Sequence, residues 1–399
     1  MTIATTTALQ GATFGEVAEL RDDLGVLSIY VDTGAEGGER STRAGEIALR
    51  GALADLRETV HAEGPRERRM AVDGLIEGLN GDLVALTDPA RSGRARALFV
   101  GVSGGEPLTV SSRHHMGTGV TLASTPHLMP LLPALEAEQP FGVIAVSGHG
   151  IRALDMVGGD AVDAAWMEFD FEADEWRRMA GPASANPANA RTTASQQDLF
   201  RRRVEAHRRQ GVAEAVAPLA ALARAVGWTR VLLAGEPTRL APLADGWPDD
   251  GPALVVTGDR LVDTESAEDA RRRAEPVLTE ERRREQRDLV QRALDAALGG
   301  AAGAAGPADV IGALQEGRVD HLLIDADLRR PGSVTSDGRL VPEAEVPAGV
   351  NPADLVPEDD LSDRVVQRAL ATDASITALE GAARDLVSDH GGIAALLRW

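Results

Sequence analysis

Short apolar runs alternate along the chain with stretches whose apolar positions recur every three or four residues. Val26-Leu-Ser-Ile-Tyr-Val31 and Ala97-Leu-Phe-Val100 read as buried strands. Between them, Ala44 to Val60 places Ile47, Leu49, Leu53 and Leu56 at helical spacing, and a mixed helical stretch runs from Met70 to Leu86. Acids, Gln139 and Pro140 then interrupt the pattern, which puts the end of a first α/β domain at residue 137.

Phe141 to Val157 holds two strand patterns separated by Ser147-Gly148-His149 and predicts a hairpin, to which Met167 to Phe171 adds a candidate strand. Gly181 to Ala194 is rich in small and polar residues without apolar periodicity and is expected to be a loop. From Gln196 the pattern turns helical. Leu199, Phe200, Val204, Val212 and Leu219 lie on one side and Arg201, Arg202, Arg208 and Arg209 on another, with Gly211 and Pro218 expected to bend or divide the helix. Trp228 to Gly235 and Leu254 to Thr257 read as buried strands.

A third unit begins near Arg260, with a helical region from Ala267 to Leu298 expected to be interrupted at Pro276. Asp309 to Gln315 reads as a helix and Val319 to Ile324 as a strand. The stretch from Val341 to Asp363 carries seven acids and no base, and reads as loop or disorder. Arg364 to Leu370, Ile376 to Val387 and the terminal Gly391-Gly-Ile-Ala-Ala-Leu-Leu-Arg398 complete the unit. The expected fold class is α/β, in three α/β domains spanning 1–137, 138–259 and 260–399.

Composition changes this picture mainly by exclusion. Hydrophobic residues make up 43% of the 399 residues, with no run long enough to span a membrane and no basic-then-apolar leader, so a cytoplasmic globular protein without a membrane partner is expected. There is no cysteine and no lysine, so all 41 basic residues are arginine. Disulfides, thiolate zinc sites, a lysine-ended phosphate loop and Schiff-base chemistry are thereby excluded. No cofactor and no metal site is expected; His114-His115 reads as a surface pair without a carboxylate at ligand spacing.

A net charge of −21 repels nucleic acid unless the basic residues are segregated. They are. Between Trp176 and Gln210 eight arginines stand against Asp198 and Glu205. The bland alternative is a solvated helix face, but two acids cannot neutralise Arg201, Arg202, Arg203, Arg208 and Arg209.

The order of these pieces resembles the eukaryotic/archaeal release factor and Pelota family. Phe141 to Val157 is similar to the hairpin that opens that family's middle domain. Thr193-Ala-Ser-Gln-Gln-Asp-Leu-Phe-Arg-Arg-Arg203 stands where the family has its Gly-Gly-Gln tip running into a long basic helix. Trp228 to Gly235, Ala313 to Ile324 and Gly391 to Arg398 resemble later elements, the last of these Pelota's terminus. The first 137 residues resemble bacterial relatives, among them the Balon-like ribosome hibernation factors. The family's Asn-Ile-Lys-Ser decoding motif is impossible in a chain without lysine.

The resemblance implies a ribosomal partner, met at rRNA, the aminoacyl site and the peptidyl transferase centre. It implies RNA-facing roles for Arg191, Ala194, Ser195, Gln196, Gln197, Arg201, Arg202, Arg203, Arg208 and Arg209. Gln196 is the one candidate catalytic residue, with Gln197 as the alternative register; the bland reading of Gln196 is a polar residue at a helix N-terminus. Both tip glycines are replaced, by Ala194 and Ser195, whose Cβ atoms disfavour left-handed backbone angles. The implied function is therefore a hibernation factor that occupies the aminoacyl site without releasing peptide. The alternative is a peptidyl-tRNA hydrolase acting in ribosome rescue, resembling the Vms-type enzymes and their looser Gly-x-x-Gln pattern. A third possibility is a protein-binding stress factor that has left the ribosome. The C-terminal domain would meet a translational GTPase, with elongation factor Tu as the candidate.

Overall fold

The structure, a computed structural model, describes residues 10–33, 39–88, 90–91, 93–156, 161–169, 190–258, 265–342 and 352–399, with the side chains of 10, 39–42 and 190–201 outside the described set. The chain divides into two units. One joins the residues up to Glu138 with Arg282–Trp399, and the other is Gln139–Glu281.

The first unit opens with β1 (Gln10–Gly11), α1 (Phe14–Glu19), β2 (Val26–Asp32), α2 (Glu39–Glu63), α3 (Arg66–Gly78), α4 (Asn80–Thr87), β3 (Ala95–Gly101), β4 (Leu108–Ser112), β5 (Gly119–Ala123) and α5 (Leu131–Ala137). Its strands form an antiparallel sheet in the order β1-β4-β3-β2-β5. Successive side chains on a strand point to opposite faces. Thus Leu27, Ile29, Leu98 and Val100 pack under α2, α3 and α4, whereas Tyr30, Ala97 and Phe99 face the opposite core. Burial on both faces explains why these strands read as continuous apolar runs rather than alternating ones.

The second unit holds β6 (Phe141–Val146), β7 (Gly150–Met156), β8 (Val162–Glu168), α6 (Ala190–Glu214), α7 (Val216–Val226), β9 (Arg230–Gly235), α8 (Pro237–Gly246) and β10 (Ala253–Thr257). The sheet order is β10-β9-β6-β7-β8, with β6, β9 and β10 parallel and the β6–β7 hairpin where the sequence places it. One face packs Ile144, Val231 and Leu233 against Val212, Leu219 and Leu243 of α6, α7 and α8. Division of the long helix falls at Ala215. Pro218 lies in the first turn of α7, where its missing N–H costs no helical hydrogen bond.

Helix α9 (Ala267–Leu298) runs through the point where the second unit ends and the first resumes. Ala270, Ala274 and Leu278 pack against Val143, Leu154 and Leu232 of the middle sheet. Leu289, Val290 and Ala293 pack against Leu323, Leu379 and Ala394. Contrary to the expected interruption, Pro276 sits inside a continuous helix, held on its sheet by the apolar residues on either side.

The chain then forms β11 (Gly303–Ala305), α10 (Pro307–Gln315), β12 (Val319–Asp325), β13 (Gly332–Thr335), β14 (Leu340–Pro342), β15 (Leu355–Glu358), α11 (Ser362–Ala371), β16 (Ser375–Leu379), α12 (Gly381–Val387) and β17 (Ile393–Leu397). A four-stranded sheet runs β11-β17-β12-β16 and a three-stranded one β14-β13-β15. The acidic stretch expected to be loop or disorder is therefore in part a strand, because Leu355–Glu358 pairs antiparallel with β13 through four register positions. Backbone pairing and the Glu358–Arg364 ion pair at 2.9 Å hold it, neither of which leaves a hydrophobic pattern in the sequence.

One hydrophobic cluster runs from Phe14, Phe99, Leu128 and Leu132 into Val310, Leu322, Val366 and Ile376. The two ends of the chain thus share a core within this unit. Fully burying a side chain of this size stabilises by roughly 1.5–3 kcal/mol.

Candidate nucleic-acid interface

The basic residues of α6 follow from how the helix seats itself. Val212 and Ala215 are buried, and Gly211 lets Phe169 approach so closely that a Cβ at 211 would lie 3.1 Å from its ring. With that side turned to the sheet, Arg202, Arg203 and Arg209 are exposed and Arg208 is half-buried. Glu205 reaches Arg208 Nη1 at 3.6 Å, a pair of a kind that contributes little when part-exposed.

Arg191, Ala194, Ser195, Gln196, Gln197 and Arg201 lie on the helical backbone of α6, with their side chains outside the described residues. Of the loop expected from Gly181 to Ala194, the last residues are helical instead, since α6 begins at Ala190, and the part before Ala190 lies outside the described residues. Gln196 is therefore inside the helix and not at its start. Among the described residues the one non-glycine position with positive φ is Asp373, so neither Ala194 nor Ser195 adopts the left-handed backbone that tip glycines serve. Absence of an apolar stripe hid the first turns of this helix from a periodicity reading.

Sheet pairing adds a group that local charge counting misses. Strands β6 and β9 run parallel and end side by side, with Val146 opposite Gly235. Beyond Val146, the hairpin turn is closed by Ser147 Oγ, which accepts the N–H groups of His149 and Gly150, each at 3.1 Å. Beyond Gly235, α8 starts at Pro237 and carries Arg239 in its first turn. Arg239 is a single arginine in a stretch without basic excess, so nothing in the sequence singles it out. A Cβ on Gly148 would lie 3.9 Å from Arg208 Nη2 and 3.8 Å from Arg239 Nη1.

The remaining candidates do not assemble a reactive site. His115 Nδ1 bonds the Asp32 carboxylate, whose other oxygen lies 3.4 Å from Arg94 Nε, so a carboxylate does accompany the histidine pair after all. It comes from β2, far away in sequence. No group of three potential metal ligands occurs among the described residues, and no described helix is long and apolar enough to cross a membrane.

Residues 126–282 match the sequence family described as bacterial archaeo-eukaryotic release factor family 10. No curated protein matches the chain. Among solved structures, an archaeal translation termination factor, aRF1, aligns at 16% identity over 96% of each chain with a TM-score of 0.24. Pelota from Archaeoglobus fulgidus aligns at 15% identity over 76% of this chain and 79% of its own, with a TM-score of 0.34. An archaeal Pelota in a ribosome-bound model with ABCE1 aligns at 12% identity over 76% of this chain and 77% of its own, with a TM-score of 0.39.

Proposed function

We propose that the chain, whose residues 126–282 match the bacterial archaeo-eukaryotic release factor family 10, is a ribosome-binding translation factor that occupies the aminoacyl site of idle ribosomes without releasing peptide. The observation that carries this reading is the backbone at Ala194, Ser195 and Gln196, which is right-handed helix. A tip that positions water at an ester needs backbone freedom that Cβ-bearing residues in a helix lack, at a cost of roughly 1–2 kcal/mol for each residue forced left-handed. Exposed Arg202, Arg203 and Arg209 supply the charge that an rRNA surface would meet. The relative whose description places it on the ribosome is an archaeal Pelota. The C-terminal α/β elements are the proposed contact for a translational GTPase, with elongation factor Tu as the candidate.

The test uses ribosomes carrying labelled peptidyl-tRNA, with the wild-type chain and Gln196→Ala assayed for binding and for release. Binding without release by either protein is the expected result. Release by the wild type that vanishes in the variant would replace this reading with a peptidyl-tRNA hydrolase. A wild-type chain that fails to sediment with ribosomes from growing or starved cells would remove the ribosome from the account.

A further inference from the structure

Strand β8 closes the middle sheet, and no described strand lies beyond it. One hydrogen bond fixes which way its backbone faces. Phe169 N–H donates to the carbonyl of His149 on the β7 side at 2.8 Å, and along an antiparallel pair this orientation recurs at every second residue. Ala165 and Met167, opposite Ala153 and Ile151, therefore bond to β7, whereas Trp166 and Glu168 turn their N–H and C=O groups to the open edge. Trp166 is 48% exposed and Val162 55% exposed, and the indole N–H of Trp166 has no hydrogen-bond partner among the described residues. An exposed indole on a strand with one open side offers both apolar area and main-chain bonds to another strand.

Charge selects the partner. From Gly158 to Trp176 the sequence holds seven acids and no base. Arg152 of the neighbouring strand is already paired with one of them, Asp163, through Nη2 at 3.0 Å, while Glu168 on the open edge is exposed. This stretch repels phosphates, and it repels the same edge of a second copy, which would bring like charges opposite one another. An extended protein segment rich in arginine or lysine meets neither obstacle. We propose that β8 receives such a basic segment as an added strand, with main-chain bonds to Trp166 and Glu168 and a cationic side chain over the indole. The exposed arginines of α6 serve the RNA reading; β8 carries the opposite sign and so takes a different class of partner.

The full chain is titrated with a labelled synthetic peptide of alternating arginine and valine, with the same peptide N-methylated at every residue, and with a glutamate–valine peptide. Binding of the parent peptide alone is expected. Trp166→Ala should weaken it about tenfold. Glu168→Gln removes a charge and keeps the outward N–H, whereas Glu168→Pro removes both, so the proline variant should bind more weakly than the glutamine one. Because an edge strand tolerates proline where its N–H faces outward, all three variants should melt with the wild type. A wild type that fails to bind the parent peptide would overturn the proposal, as would unchanged affinity in both Trp166→Ala and Glu168→Pro. An N-methylated peptide that binds as tightly as the parent would reduce the contact to bare charge attraction and overturn the added strand; this arm needs no protein variant, so a misfolded one cannot obscure it. Binding of a single-stranded RNA oligonucleotide that Trp166→Ala abolishes would hand the edge to nucleic acid, and a dimer in sedimentation velocity that Glu168→Pro dissociates would hand it to a second copy; either result overturns the basic partner.

Discussion

The carboxylate of Asp363 joins His127 Nδ1 at 2.8 Å across 236 positions of sequence, and its other oxygen accepts the N–H groups of Leu128 at 2.7 Å and Met129 at 3.1 Å. Tyr30 donates its hydroxyl to the carbonyl of His127, which fixes the same turn from the sheet side. Asp363 is the last acid of the stretch that composition marks as solvated, yet it is 7% exposed and ties the two ends of the chain into one unit.

Asp363→Ala should therefore lower the stability of that unit by roughly 3 kcal/mol or more, since two buried N–H donors lose a charged acceptor at about 1.5–3 kcal/mol each. Asp363→Asn keeps one acceptor oxygen and should cost less. Denaturant unfolding of the three proteins measures the order; an alanine variant as stable as the wild type would show that water replaces the carboxylate.

Glu136 supplies a pH dependence. Burial raises its pKa to about 7, against opposing pulls from the Ala378 N–H, the Arg282 charge and the Gln286 amide. The carboxylate accepts Ala378 N–H and Gln286 Nε2, each at 2.9 Å, while Gln286 Oε1 is buried without a hydrogen bond. An acid whose folded pKa is raised binds more protons folded than unfolded, so stability falls as pH rises. The loss begins near the ordinary glutamate value of 4.5 and is complete above about 7. A shift of this size corresponds to about 3 kcal/mol. Glu136→Gln should gain about 2–3 kcal/mol relative to the wild type between pH 5 and pH 8. Parallel stability curves for the two proteins would rule this residue out as the source.

Two glycines should respond in opposite directions to alanine. A Cβ on Gly142 would lie 2.2 Å from the ring of Trp228, which is buried and anchored by its Nε1 hydrogen bond to Asp155 at 2.7 Å. Gly142→Ala should cost about 1–3 kcal/mol through displacement of that ring, and Trp fluorescence should change with it. Gly74 lies in α3 with nothing near its missing Cβ, so Gly74→Ala should stabilise by roughly 0.5–1 kcal/mol. Equal effects at the two sites would contradict this packing.

Strand β15 predicts that the acidic stretch cannot be removed freely. Deleting Leu355–Glu358 strips β13 of one neighbour and removes Glu358 from both Arg364 at 2.9 Å and Ser124 Oγ at 3.1 Å. The shortened chain should melt earlier and expose a strand edge that promotes association. Val356→Thr, on a residue 61% exposed, should change stability by no more than about 0.5 kcal/mol. A deletion that melts with the wild type would return the segment to a mere appendage.

By itself the sequence determined the elements whose information is local. Buried strands such as Val26–Asp32 and Val319–Asp325 announce themselves as apolar runs, and the β6–β7 hairpin as two runs around Ser147-Gly148-His149. The arginine excess near α6 and the likeness of residues 126–282 to a release factor family were legible for the same reason. Tertiary structure alone decided what depends on register between distant strands. Arg239 comes near Gly148 because β6 and β9 end together, and Glu136 meets Ala378 across 242 positions because α5 packs on β16. It also decided that Pro276 is carried through α9, since sheet packing outweighs one lost hydrogen bond, and that the acids before α11 include a paired strand and a buried carboxylate. Apolar periodicity records which side of an element is buried, but a charged side chain acquires its role from partners that no local pattern names.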